Sequence, residues 1–175
     1  MIATATIGTD HIDLDYCNRQ HIFIKNAAGC NSGGVVNYVF SALYGVASRK
    51  SISLTDATIG IIGVGNVGHK VEMAARSLGF KVLLNDPPRA EIEGGSQFCD
   101  LDYLLANSDI VTLHVPSNKR THNLADEKFF AKMKVGAFFI NAARGDIVKE
   151  KALLNAIPKL GPVVIDTWKN EPDIN

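Results

Sequence analysis

What is scarce in this chain narrows its possibilities first. Of 175 residues only three are cysteine, Cys17, Cys30 and Cys99, an odd number spread far apart. Such spacing fits neither a disulfide framework nor a zinc knuckle, so a reducing cytoplasm is the default and no metal is expected. Net charge is missing too, because 18 Lys and Arg balance 18 Asp and Glu. No overall field draws in nucleic acid or an anionic membrane, and the densest basic stretch, Lys128 to Lys134, reads as the solvated face of a helix. No apolar run approaches the roughly 20 residues that span a bilayer. The opening MIATATIGTD lacks the basic flank and long apolar region of a signal peptide. It reads as a chain entered in mid-strand, the start of a fragment.

What is present is alternation of strand and helix from about residue 57 onward. ATIGIIG (57–63), KVLLN (81–85), DIVTLHV (109–115), GAFFINA (136–142) and PVVIDTW (162–168) read as strands. Helical spacing runs over Asn66 to Leu78 and over 101–108, 124–133 and 148–157. The Pro87-Pro88 pair reads as the stop after the second strand. Most of the strands are apolar throughout, which predicts a parallel sheet covered on both faces, an α/β Rossmann-type, doubly wound architecture. The first 50 residues differ. ATATI and HIFI suggest two strands around a short helix. Asn31 or Ser32 can cap a longer helix to about Ser48, with an apolar surface of Val35, Val36, Tyr38, Val39, Phe40, Leu43 and Val46. Such a surface predicts burial on more than one side. No internal repeat or low-complexity segment appears.

One motif carries chemistry. Gly63, Gly65 and Gly68 form G-x-G-x-x-G directly after a strand and at the opening of a helix, with Asn66 and Val67 as its first residues. In that context the second glycine lets the backbone approach a pyrophosphate, while helix amides and dipole face its negative charge. Asp86 ends the next strand, where a carboxylate accepts hydrogen bonds from both ribose hydroxyls of an adenosine. The same carboxylate repels a 2′-phosphate, favouring NAD over NADP, although the nearby Arg89 can blunt that preference. The bland alternative is a glycine-rich turn that binds nothing.

With the glycine motif, HVP (114–116), NAARG (141–145) and the D-x-x-x-x-E-P run from Asp166 to Pro172, the chain resembles the D-2-hydroxyacid dehydrogenase superfamily. ATIGTDHID (5–13), GCNSGGVVNYVFSAL (29–43) and NDPPRA (85–90) point to one narrower branch. The resemblance implies NAD as cofactor and a small phosphorylated 2-hydroxy acid as substrate. It divides the chain into a remnant of a flavodoxin-like substrate domain (1–30), an interdomain helix (31–50) and an NAD-binding domain (51–175). Arg144 is implied to grip the substrate carboxylate and polarise the reacting oxygen, a task for a planar, permanently charged fork. Glu171 is implied to orient a catalytic histidine and raise its pKa. Asp166 is implied to hold the nicotinamide carboxamide. Val115, Ala142 and Ala143 are implied to line the cofactor slot beside His114 and Pro116, and Thr6 is implied to touch the substrate.

The general base of that family is a histidine beyond the E-P segment, and none of His11, His21, His69, His114 and His122 takes that place. Hydride transfer needs its partners within about 3–3.5 Å, so the chain alone is expected to bind NAD but turn over little substrate. The resemblance further implies a cytoplasmic homodimer for the full-length protein, with no nucleic-acid or membrane partner. Two other readings stay open at this point. One is a dehydrogenase of the phosphoglycerate or glyoxylate/hydroxypyruvate type, and the other is a non-catalytic NAD-sensing module.

Overall fold

The computed structural model describes residues 1–5, 8–9 and 11–169. At the N-terminus two three-residue strands, β1 (Ile2–Thr4) and β2 (Ile24–Asn26), pair in parallel around α1 (Leu14–Arg19). Asp13 caps that short helix, accepting the Tyr16 N–H at 2.8 Å. The long helix α2 (Ser32–Arg49) follows, with Asn31 at its N-cap making no side-chain cap bond. Ser32 instead turns its hydroxyl back onto the Gly29 carbonyl at 2.6 Å and accepts Lys70 Nζ at 2.7 Å.

The remainder is β3 (Thr58–Ile62), α3 (Asn66–Ser77), β4 (Lys81–Asn85), α4 (Pro87–Glu93), α5 (Leu101–Asn107), β5 (Ile110–Leu113), α6 (Glu127–Lys132), β6 (Phe138–Asn141), α7 (Glu150–Ala156) and β7 (Val163–Ile165). All five strands are parallel, in the order β4-β3-β5-β6-β7. Side chains alternate across this sheet and feed two cores. Ile59, Ile61, Phe138 and Ile140 pack with Val39, Leu43 and Val71 of α2 and α3. Ile62, Val111, Leu113 and Phe139 pack on the other face with Leu104, Phe129 and Leu153 of α5, α6 and α7. Phe139 meets Phe129 and Phe130 edge-on at 6.0 and 5.1 Å between ring centroids. Gly60 lets α5 lie directly on β3, since a Cβ there would come within 2.4 Å of the Leu104 side chain.

The doubly covered parallel sheet is the architecture that the apolar strands predict, and three local expectations need correction. The Pro87-Pro88 pair opens a helix instead of closing off structure. The first helical positions have no intrahelical use for an N–H, and Asp86 supplies the cap by accepting the Arg89 N–H at 3.1 Å. Leu124 and Ala125 are not helical, because Ala125 bridges Val148 and Asp126 caps the later start by accepting the Phe129 N–H at 2.9 Å. Helix α2 buries one face completely, through Val39, Phe40, Leu43 and Ala47, whereas Tyr38 and Tyr44 stay exposed. Among the described residues no helix is long and apolar enough to cross a membrane, and no His/Cys/Asp/Glu group is spaced to hold a metal.

Candidate functional site

Every strand of the main sheet delivers a site segment just past its carboxyl end. The sheet order reverses at β3, whose successors β4 and β5 lie on opposite sides of it, and ligands of open parallel sheets sit in that crevice. The three glycines of the turn serve three separate purposes there. Gly63 has φ +85°, and a Cβ on it would stand 2.7 Å from Val115 Cγ1 and 2.8 Å from the His114 carbonyl. Gly68 lets α3 close on the turn, since its Cβ would overlap the Gly63 carbonyl oxygen. Gly65 is different: it precedes α3 with φ −77°, and a Cβ there would meet nothing within 4 Å. Its missing side chain leaves space above the turn, and α3, opened by Asn66 and Val67, has no side-chain cap. Uncapped amides facing open space suit an anion.

Asp86 braces this turn from below. Its Oδ2 accepts the Val64 N–H at 2.7 Å while Oδ1 caps α4. A carboxylate has further lone pairs for ribose hydroxyls. Beside it lies an open groove of about 630 Å³, lined by Asn85, Asp86, Pro87, Ala90, Phe98 and Tyr103, of a size to take a nucleoside. Arg89 does not stand free there. Its Nη1 donates to the Val64 carbonyl at 2.6 Å, and its Nε and Nη2 donate to the two oxygens of Glu93 at 2.7 and 2.8 Å.

The ends of β5, β6 and β7 form the other half. His114 continues the β3–β5 ladder by donating its N–H to the Ile62 carbonyl at 2.8 Å, and Val115 and Pro116 then leave the sheet. Its Nε2 lies 3.0 Å from Thr112 Oγ1, whereas Nδ1 is sealed from solvent without a hydrogen-bond partner. Burial holds the imidazole down to about 4, so it is neutral near pH 7 and suited to positioning instead of proton storage. Past β6, the fully buried Asn141 pins the loop from both sides. Its Oδ1 accepts the Ala143 N–H at 3.1 Å and its Nδ2 donates to the Arg144 carbonyl at 2.9 Å. Ala142 lies between them, and Arg144 extends from this brace with Nη1 on the Ala143 carbonyl at 2.9 Å. Gly145 allows the backbone of Trp168 and Lys169 to pass against it, since a Cβ would come within 2.1 Å. Asp166 ends β7, its N–H donated to the Asn141 carbonyl at 2.9 Å. Partial desolvation and the hydrogen-bonded Asp166 carboxylate both push the phenol of the partly exposed Tyr38 upward, so α2 reaches the site through Tyr38.

The sheet thus gathers Gly63, Gly65, Asn66, Val67, Gly68, Asp86, His114, Val115, Pro116, Ala142, Ala143, Arg144 and Asp166 at its carboxyl edge. Glu171 and Thr6 lie outside the described residues. Asn141 and Tyr38 are additions. Asn141 stands inside NAARG without an assigned role, and a polar amide closing an apolar strand ahead of two alanines is the available signal for it. Tyr38 carries no such signal, because its partner is remote in sequence. The open face of Gly65, the groove beside Asp86 and the unpartnered Nδ1 of His114 together fit a dinucleotide.

Residues 43–175 match the family described as "D-isomer specific 2-hydroxyacid dehydrogenase, NAD binding domain", and the chain belongs to it. Among named relatives, erythronate-4-phosphate dehydrogenase of Bacteroides fragilis is 47% identical over 180 residues, spanning 99% of this chain and 52% of that protein. The D-lactate dehydrogenase of Aquifex aeolicus, solved with NAD and lactic acid, is similar at TM-score 0.85 and 30% identity, over 97% of this chain and 58% of that one. An acyclic imino acid reductase (Bsp5) solved with NADPH and D-Arg is similar at TM-score 0.86 and 27% identity, over 98% and 62%. The chain spans about half the length of the curated relatives it matches.

Proposed function

We propose that this chain is the cofactor half of an NAD-dependent erythronate-4-phosphate dehydrogenase, which oxidises 4-phospho-D-erythronate at C2 to 2-oxo-3-hydroxy-4-phosphobutanoate. The observation that carries the reading is the 47% identity over 99% of the chain, which includes the residues ahead of the family match. The arrangement around Asp86 supports NAD in particular. A carboxylate at the end of β4 suits two ribose hydroxyls and repels a 2′-phosphate. Bound NAD would supply the hydride acceptor. Gly63, Gly65, Asn66, Val67 and Gly68 would hold its pyrophosphate, and Asp86 its adenosine ribose. His114, Val115, Pro116, Ala142 and Ala143 would line its path, with Asp166 on the carboxamide. Arg144 would grip the substrate carboxylate and stabilise the developing carbonyl. Thr6 would touch the substrate, and Glu171 would orient a histidine from the rest of the protein that takes the hydroxyl proton. The complete protein is proposed to work in the cytoplasm as a homodimer, without nucleic-acid or membrane partners.

A second reading keeps the chemistry and changes the acid, as the likeness to the Aquifex D-lactate dehydrogenase allows. The test is turnover of a panel of D-2-hydroxy acids by the complete gene product, alongside NADH titration of the 175-residue chain. The expected result is the highest kcat/KM for 4-phospho-D-erythronate, with NADH bound by the chain alone and little turnover. Equal or better turnover of lactate, glycerate or 3-phosphoglycerate would overturn the branch. NADH binding without turnover of any acid by the complete product would leave only a sensing module.

A further inference from the structure

We propose that Glu93 is a selectivity-determining residue, locking Arg89 away from the 2′-phosphate of NADP(H) so that the site discriminates by two carboxylates instead of one. This rests on the NAD-binding reading above and concerns how the same site refuses the other cofactor.

An arginine just beyond the acid at the end of the second strand is the group that accommodates a 2′-phosphate when one is accepted. Arg89 stands in that place, three positions after Asp86 on the first turn of α4. Its free fork would be Nε with Nη2, the edge that grips a phosphate through two parallel bonds. In this chain that edge is filled by Glu93, at 2.7 and 2.8 Å. The remaining nitrogen, Nη1, donates to the Val64 carbonyl at 2.6 Å, so the side chain is fixed at both ends. Glu93 is itself steadied by Gln97, whose Nε2 donates to Oε2 at 2.8 Å. The Phe98 ring lies beneath the guanidinium, 5.5 Å from Cζ to centroid. Val64 is in turn tied to Asp86 through its N–H. The arginine is therefore beside the ribose acid yet turned away from it.

The bridge is about one-third exposed on both sides, 32% and 36%, and pairs of that kind add little to stability. Its consequence is occupancy. A 2′-phosphate that recruited Arg89 would have to break two charge-assisted bonds and leave the Glu93 carboxylate without its cation, held only by Gln97. Glu93 thus occupies Arg89 and adds a like charge, whereas Asp86 alone would leave Arg89 available.

The test is a cofactor titration of the chain by nicotinamide fluorescence, with NADH and NADPH each applied to wild type, E93Q, E93A and E93A/R89M. Wild type is expected to bind NADH and to bind NADPH far more weakly. E93A and the near-isosteric E93Q are expected to tighten NADPH binding about fivefold while NADH stays within about twofold, the scale of one recovered charge-assisted contact. Adding R89M is expected to remove the gain, which locates it in the released arginine and not in lost repulsion alone. A gain that survives in E93A/R89M, or an NADPH-to-NADH ratio unmoved in both single variants, would overturn the lock while leaving NAD binding intact. Absence of NADH binding in folded wild type would instead overturn the cofactor reading, and the lock with it.

Discussion

The buried imidazole of His114 makes acid stability a direct probe of the proposed cofactor slot. Enclosure without a partner for Nδ1 holds its pKa down from 6.5 to about 4 in the folded chain. Between those values the unfolded chain binds a proton that the folded chain refuses. Stability therefore falls as pH is lowered from about 6.5 towards 4 and levels off below, where both states are protonated. At 1.36 kcal/mol per pH unit the full loss is about 3 kcal/mol. That is a large share of the about 5–15 kcal/mol typical of a domain. The measurement is unfolding free energy from urea titrations at half-unit steps between pH 7.5 and 4, for wild type and H114Q. Gln keeps an amide for the Thr112 hydroxyl but does not titrate, so its curve is expected to be flatter by most of that amount. Asp109 tests the separation of windows. Burial opposes its ionisation, yet the Lys134 and Thr58 hydrogen bonds hold it below the usual carboxylate range. Its contribution is present above that range and lost only at still lower pH. Equal slopes for wild type and H114Q between pH 6.5 and 4.5 would refute the assignment.

The glycine turn separates a binding effect from a folding effect. Gly65→Ala is expected to change stability by no more than about 1 kcal/mol, because the added methyl meets nothing within 4 Å and what remains is the cost of replacing an N-cap glycine. The same change is expected to weaken NADH binding at least about tenfold by filling the space proposed for the pyrophosphate, read by fluorescence titration. Gly68→Ala behaves oppositely. Its methyl would overlap the Gly63 carbonyl oxygen, so α3 must shift, and a loss of about 1–3 kcal/mol is expected in urea unfolding.

How much of this was legible in the sequence depends on how local each cause is. The strands of the main sheet are short apolar runs, and their parallel arrangement follows from helices on both faces. Gly63 and Gly68 are legible because a turn from strand to helix needs a positive φ and a close approach at those places. Asp86 is legible from its position at a strand end. Its second role is not, because nothing in the run NDPPR says that the acid will cap a helix opened by prolines. Arg89 was read as a cation near the ribose. Its partner Glu93 is one helical turn away and is hidden only because the Pro87-Pro88 pair reads as a stop, so no helix is expected there, whereas the Val64 carbonyl is remote in sequence. Tyr38 reads as part of an apolar surface, yet its phenol meets Asp166 from a segment remote in sequence. Pattern and spacing describe neighbours within a turn or two; a pairing made by the fold leaves no such trace. The catalytic pair expected at Arg144 and Glu171 is half described, since Glu171 lies outside the described residues.

The unpartnered Nδ1 of His114 bears on why the site looks as it does. A buried polar atom without a partner costs about 1–3 kcal/mol, and folds keep few of them. Here the atom sits past β5, beside the turn that leaves Gly65 uncovered, and not in the packed interior where Ser108 and Asn141 find their bonds. The chain satisfies its structural polar groups closely: Asn85 donates to Cys99, Ser108 to Leu104, and Asn141 bonds twice. Among the described residues two buried side-chain atoms lack a partner, His114 Nδ1 and Thr167 Oγ1, and both follow strand ends at the carboxyl edge of the sheet, where parallel strands leave room for a ligand. A donor or acceptor kept dry and unpaired at that edge is the arrangement that makes ligand binding complete the fold. The lost side chain at Gly65 and the orphaned nitrogen at His114 are then two sides of one cost, both borne where NAD is proposed to lie.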